Sequence, residues 1–474
     1  MIFRMKTSPH SSCPFHAGSQ PPAPTNQPAG SWPPGPKAGL TGWGLLGRMS
    51  RDLMGTLADW KREFGDLVHV RTWPEHQIIV SDPHLARELL VGQADALQRW
   101  ERALTVYRRV HGHSVLIAEG QAWREKRQAL QPDFTRKSVQ AFSPSIVEAA
   151  RQAFAQWPGR KDAWPIENEL TSLTMEVILR MMFSSGVGGE AQQAEEAVHT
   201  LMVASTAELW RPASLPDWMP WQRKRRRARL LLNDLIERHL QARLGMPQED
   251  WPDDLLARLL RLHSRQPRDW PLQAVRDECK TAFLAGHETI AASLGWWAWC
   301  MASHPDIQEK ARADATAAWP GEESGEPDVS ALHYVSQTLQ ETMRLYPAVP
   351  LLMSRRALRP VTLGGWTFPA RTVFMVPMQL MQHDARWFPE PLAYRPERFD
   401  PDEARPPQGA YLPFGGGPRV CLGQHLALAE MTIVAAELLR RYRLSVPDGA
   451  APPRPVFHVS QRPERPLALN IARV

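Results

Sequence analysis

The residues best equipped for chemistry lie in the stretch Phe414-Gly-Gly-Gly-Pro-Arg-Val-Cys-Leu-Gly423. Consecutive glycines let a backbone take positive φ or come close to a flat, bulky object. Cys421 follows them, at the predicted start of a helix running from Leu422 to Tyr442. The free N–H groups and positive end of such a helix favour thiolate over thiol. Phe414 can shield one side of the sulfur, and Arg419 offers a cation suited to a carboxylate. A buried, inert thiol behind a glycine-rich turn is the alternative reading of Cys421. One thiolate is too few for a structural zinc site but suffices as the axial ligand of a haem iron.

A second group, Ala285-Gly-His-Glu-Thr289, falls inside a long predicted helix over 272–302. Gly286 costs helix stability but lets a neighbouring group approach. Glu288 beside Thr289 sets a proton-exchanging carboxyl next to a hydroxyl, a pair able to pass protons directly or through water. His287 is either a polar contact of that helix or part of the same proton path.

Three further charged patterns stand out. Glu341 and Arg344 share one helical face at i and i+3, and Arg398 follows in the irregular stretch Pro396-Glu-Arg-Phe399. Trp123 and Arg127, at i and i+4, bring an indole and a guanidinium together. Both are hydrogen-bond donors able to meet a carboxylate, with a surface aromatic–cation pair as the alternative. Arg355 is another candidate donor, from the strand after Pro350, or Arg356 if the register slips by one.

The elements that must position these residues are mostly helices. Helical spacing predicts segments at 53–64, 123–130, 143–157, 167–183, 192–210, 230–244, 255–263, 272–302 and 334–345. Alternating apolar residues at 67–70 and 77–80, around Pro74, predict a hairpin, and 361–363 and 372–376 read as short strands. The fold class is mainly α with small β-sheets. Residues 1–37, rich in Pro, Gly, Ser and Gln, read as a flexible N-terminal tail ahead of a single domain over 38–474, with the stiff Pro33-Pro34-Gly35-Pro36 as a rigid entry into the fold the alternative. The 474 residues, 43% hydrophobic, can bury a large core. No apolar run reaches the ~18 residues of a membrane span and no signal-peptide core is present, so a cytoplasmic chain is expected. Four widely separated cysteines make no disulfide framework. The net charge of +6 suits an acidic partner. The run Arg223–Arg227 reads as a solvated helix start, with attraction of an acidic partner or a lipid surface as the alternative, and no recognition motif supports nucleic acid. Trp210, Trp218 and Trp221 could flank an entrance or lightly touch a membrane.

Phe414, Gly417, Arg419, Cys421 and Gly423 resemble the haem-binding pattern FxxGxRxCxG of the cytochrome P450 family at every fixed position. Ala285–Thr289 resembles its [AG]GxxT helix, Glu341–Arg344 its ExxR, Pro396–Phe399 its PxRF and Trp123–Arg127 its WxxxR. Tyr394 stands where the longer FxPxRF form has phenylalanine. The resemblance spans about residues 33–474. It implies the cytochrome P450 fold, with haem b (heme) between the long oxygen-binding helix and the cysteine-loop helix, and Cys421 as the iron ligand. Trp123, Arg127, Ala285, Arg355, Phe414, Arg419 and Gly423 would contact the cofactor, and Glu288 and Thr289 would be catalytic. Ala285 replaces the glutamate that attaches haem covalently in some family members, so no such link is implied. Glu341, Arg344 and Arg398 would form a buried structural network.

The implied activity is insertion of one oxygen atom from O2 into a hydrophobic substrate, a fatty acid among the candidates. Electrons would come from a separate ferredoxin or flavodoxin/reductase, to a monomer with no transmembrane anchor. Val115, Leu116, Ile117, Leu284, Ala348, Val349, Leu351 and Leu352 are candidate pocket residues. A non-catalytic haem sensor and a non-oxidative isomerase or dehydratase are the alternatives.

Overall fold

The computed structural model describes residues 31–184, 188–209, 219, 222–319, 328–457 and 460–474. Seven helices position the site: α1 (Glu101–His111), α2 (Gly120–Leu130), α3 (Ile166–Phe183), α4 (Gly188–Leu209), α5 (Leu272–Ser303), α6 (His333–Leu345) and α7 (Gln424–Arg441). Helix α5 buries residues on nearly every side between Ala274 and Ala302, polar ones such as Asp277, Glu278, His287 and Glu288 among them, as a helix through the middle of a large core does. It packs on α3, α4, α6 and α7, whose buried residues join it in one hydrophobic cluster.

Among the described residues the strands form four small sheets. The largest contains β1 (Leu67–Thr72), β2 (Glu75–Val80), β3 (Leu97–Arg99), β4 (Arg355–Ala357) and β5 (Val373–Met375), in the order β1-β2-β5-β4-β3. Only the β2–β5 pair is parallel. The antiparallel β3–β4 register sets Arg99 directly opposite Arg355. Near the C-terminus, β6 (Pro455–Phe457) and β7 (Gln461–Pro463) pair antiparallel. Trp296 ties α5 to β7 by donating its indole N–H to the Gln461 carbonyl at 2.9 Å.

Several boundaries differ from the sequence expectation; α2 and α4, for instance, begin at Gly120 and Gly188, ahead of 123 and 192. The last helix begins at Gln424, with Gly423 as its N-cap residue, so Cys421 precedes it instead of opening it. A single tight turn over Gly417–Arg419 and an extended Val420 take up the intervening chain. The helix read at 230–244 does begin in the Arg223–Arg227 run, at Arg223, but Arg225 is not solvated: it turns inward to pair with Glu208 at 2.5 Å. The described end of the Pro-rich segment lies along β1. His69 N–H donates to the Pro34 carbonyl at 3.1 Å, and Trp32 stacks on His69 and His76. Trp210, Trp218 and Trp221 lie outside the described residues.

Candidate active site

Helix α5, the cysteine loop and the chain around residues 115, 123, 348 and 355 enclose a cavity of ≈ 360 Å³, within the range of small-molecule sites. Ala282, Ala285, Gly286, Thr289, Ile290 and Ser293 line it, three and four residues apart on one face of α5. Leu284 is off that stripe and fully buried in the core, which corrects its expected place in the pocket. Ile117 is likewise buried away from the cavity, and Leu351 packs with Met49 and Trp60. Val115, Leu116, Ala348, Val349 and Leu352 do line it. The space Gly286 leaves is taken by α3, since a Cβ there would lie 3.0 Å from Ile178 Cδ1.

The cysteine loop contributes Phe414, Arg419, Cys421 and Gly423 to the same cavity. Gly417 has φ +70°, and a Cβ on it would sit 2.1 Å from the Leu90 carbonyl oxygen, a backbone atom that cannot move aside. That glycine lets the loop wrap tightly, and the Cys421 N–H donates back to the Phe414 carbonyl at 3.0 Å. The accessible face of Cys421 lies on the cavity wall. Burial pushes its thiol up, and the Gly423 N–H and Arg127 pull it down only in part. The helix-end effect expected from sequence therefore does not outweigh burial. A bound metal ion would displace the proton directly.

Four arginines and an indole meet on this cavity: Arg99, Arg127, Arg355, Arg419 and Trp123. Arg419 stacks 3.8 Å over Trp123 and bonds the Ala118 carbonyl and Glu119 at 3.0 and 2.7 Å. Arg127 donates to the Val420 carbonyl at 2.9 Å. Arg99 donates to the Leu116 carbonyl and lies 3.6 Å from Glu119. Burial, then the nearby Arg419 and Arg355, bring Arg99 down to about 9. Arg419 is brought to about 10, first by burial and then by Arg355 and Arg127 against the pull of Glu119. Like charges directly across a strand pair destabilise it, so the Arg99–Arg355 pairing calls for an anion between them. Arg355 faces the cavity, whereas the buried Arg356 points away from it to Glu75 and Glu101. Nothing in the sequence marked Arg99 or Glu119; strand register and loop closure give them their place.

Glu288 and Thr289 are neighbours in sequence that point apart. The Thr289 hydroxyl faces the cavity and donates to the Ala285 carbonyl at 2.9 Å. Glu288 accepts from Ser460 Oγ and Arg462 Nε, both at 2.8 Å. Burial opposes its charge, but Arg462, then His287 and Ser460, hold the carboxyl below its usual value. Arg462 also reaches Glu167 at 3.1 Å.

Away from the cavity, Arg344 forks onto Glu341 at 2.7 and 2.8 Å, with neither side chain exposed. It also donates to the carbonyls of Gln382, Pro391 and Ala393. Arg398 Nε and the Arg395 N–H add bonds to Glu341 at 3.2 and 3.0 Å. Gln382 then accepts from the Leu412 N–H, which links this network to the start of the cysteine loop.

The cytochrome P450 family model matches residues 33–470. The chain belongs to the cytochrome P450 family and is a haem-dependent monooxygenase-type enzyme. It is 30% identical over 409 residues to cyclooctat-9-en-7-ol 5-monooxygenase of Streptomyces melanosporofaciens, covering 82% of this chain and 86% of the relative. It is 30% identical over 456 residues to cytochrome P450 714D1 of Oryza sativa subsp. japonica, covering 87% and 77%. The fold matches retinoic acid-bound cyanobacterial CYP120A1 with a TM-score of 0.80, at 23% identity, over 94% of this chain and 99% of that one. Among the described residues no helix is long and apolar enough to cross a membrane.

Proposed function

We propose that this enzyme inserts one oxygen atom from O2 into an uncharged, hydrophobic substrate. The observation that carries the reading is one cavity shared by an accessible cysteine, four arginines and the Thr289 face of α5. These residues fit haem b: Cys421 supplies the thiolate donor, and Arg99, Arg127, Arg355, Arg419 and Trp123 would hold the propionates. Ala285, small and open to the cavity, leaves room for a flat group, and Phe414 screens the sulfur from water. When bound, haem supplies the activation of dioxygen with two electrons delivered by a separate protein, a ferredoxin or flavodoxin/reductase. Thr289 orients protons at the cavity face of α5, and Glu288 holds charge behind it.

Apart from the four arginines, the lining is largely apolar, with Val115, Leu116, Ile178, Ile290, Val349 and Leu352 on its walls. A fatty acid carboxylate would need a cation of its own, and among the described lining residues the cations are those that fit the propionates. The relative named for cyclooctat-9-en-7-ol acts on a neutral alcohol, which favours the same class here.

The test is a reduced-CO difference spectrum followed by a spin-shift screen of neutral hydrophobic compounds and matched fatty acids. A red-shifted thiolate band that Cys421→Ser abolishes, together with O2- and reductant-dependent product, is expected. Turnover without O2 would favour an isomerase or dehydratase, and haem binding with no turnover a sensor. Larger spin shifts with the fatty acids would overturn the neutral-substrate assignment.

A further inference from the structure

His287 is fully buried on α5, and neither ring nitrogen completes a hydrogen bond. Buried polar groups are normally satisfied, so a ring with two idle nitrogens asks for a water molecule. The Thr171 carbonyl of α3 lies near enough to pull on the ring. Burial nevertheless brings His287 to about 4, opposed by Glu288 and assisted by Arg462 and His199. A neutral imidazole can accept at one nitrogen and donate from the other, passing a proton without holding a charge.

The groups facing His287 extend from the core to the surface. Glu288 is beside it on α5. Arg462, from β7, bridges Glu288 to Glu167 on α3 and keeps one buried nitrogen without a partner. Arg462 also lies 3.5 Å from Thr171 Oγ1. On α4, Glu195 accepts from Ser172 Oγ at 3.0 Å and interacts with both Arg462 and Glu288. Burial raises the Glu195 carboxyl, which moves a half-exposed acid towards neutral pH. His199, also on α4, is exposed and within electrostatic reach of His287 and Glu288.

We propose that this cluster between α3, α4 and α5 is the proton-entry route of the enzyme, with Glu195 collecting protons at its outer end and His287 relaying them through bound water to Glu288. Monooxygenation requires such a route. Substrate R–H, O2, two electrons and two protons give R–OH and water, so two protons enter from solvent in every turnover. The reductase supplies the electrons. Glu288 is held ionised by Arg462, so it serves as a way-station that must be refilled, and the chain behind it refills it. This inference rests on the monooxygenase reading and deepens it.

The first test does not depend on turnover. A high-resolution structure should show ordered water bonded to His287 Nδ1 or Nε2, and a dry, packed ring would overturn the route whatever the haem does. The second compares Glu195→Gln, His287→Phe and His287→Gln with wild type. The reduced-CO band and substrate spin shift should stay unchanged. His287→Phe should unfold close to the wild-type temperature, since an apolar ring replaces a neutral buried ring and its water. Product per electron pair should fall several-fold in Glu195→Gln and His287→Phe, with a larger solvent deuterium isotope effect on kcat and partial rescue in His287→Gln. Wild-type coupling and isotope effect in all three would refute the route and leave the enzyme assignment standing. A wild type that lacks the thiolate band or forms no product would defeat both.

Discussion

Two arginine clusters in this molecule differ in what completes them. Arg344 is wholly buried, and every donor it uses meets an acceptor of the chain itself: both Glu341 oxygens and three carbonyls. Arg99, Arg127, Arg355 and Arg419 line a cavity with Glu119 as their nearby carboxylate. Two of them face one another across a strand pair. Burying charge without a partner is costly. The first cluster is closed and holds the backbone in place, whereas the second is open and suited to a dianionic cofactor edge. Mutations should therefore separate them, the first failing as a fold and the second as a binding site.

The largest effect is expected from Arg344→Ala. It leaves the Glu341 carboxylate buried, with Arg398 Nε and the Arg395 N–H as its remaining donors, and breaking such a pair costs about 3–5 kcal/mol. Arg344→Lys should fail nearly as badly, because an ammonium cannot span both Glu341 oxygens and three carbonyls. Purified variants should contain little haem and unfold early in urea. Full haem occupancy in either would break the distinction, by showing that the closed cluster is dispensable.

Arg99→Ala and Arg419→Ala should act in the opposite manner. Removing one cation relieves repulsion on the others, so the haem-free protein should unfold at a midpoint close to that of wild type or above it. Haem affinity should fall about 10- to 100-fold, the loss of one charge-assisted hydrogen bond worth ~1.5–3 kcal/mol. Haem transfer to an acceptor globin would measure it. Equal losses of apo stability in these variants and in Arg344→Ala would erase the contrast.

How much of this was legible in sequence depends on whether a residue's meaning is local. The cysteine loop was legible because its glycines, arginine and cysteine must be adjacent in the chain to wrap as they do, and α5 because a helical pattern runs unbroken by proline from Leu272 to Ser303. Arg99 was not, because a three-residue strand has no period and its role comes from the register with Arg355. Glu288 was seen as Thr289's partner, yet its actual partners Ser460 and Arg462 lie 172 and 174 residues further on. Leu284 was misplaced because a helix buried on all sides offers no polar face from which to fix its rotation.

Acid should expose a smaller difference on the closed side. His383, partly buried beside Arg344, bonds the Leu345 carbonyl at 2.8 Å, and desolvation brings its pKa to about 4. The unfolded chain protonates this histidine near 6.5, so between roughly pH 6.5 and 4 the unfolded state binds more protons. Stability contributed by neutral His383 is therefore complete above that window and lost as pH falls through it. His287, also near 4, and His111, near 3, add the same sign. Urea midpoints should hold steady from pH 8 to 7 and decline below 6.5, with a shallower decline in His383→Gln. An unchanged slope in that variant would remove His383 from the account.

The smallest expected effect tests how tightly the closed cluster is specified. Tyr394 adjoins Arg395, whose N–H bonds Glu341, and stands where phenylalanine is the family habit. Its hydroxyl donates to the Thr338 carbonyl at 2.8 Å and lies 3.2 Å from Thr342 Oγ1. Thr342 donates to that same carbonyl at 2.8 Å. Tyr394→Phe thus leaves no acceptor orphaned, since Thr338 keeps one bond and Thr342 keeps its own. The loss should stay near the lower end of the ~0.5–1.5 kcal/mol of an ordinary buried hydrogen bond, read as a small shift in urea midpoint with haem content unchanged. Loss of haem from this variant would mean that the cluster depends on Thr338 and Thr342 as well as on its charges, and its boundary would have to be drawn one helical turn wider.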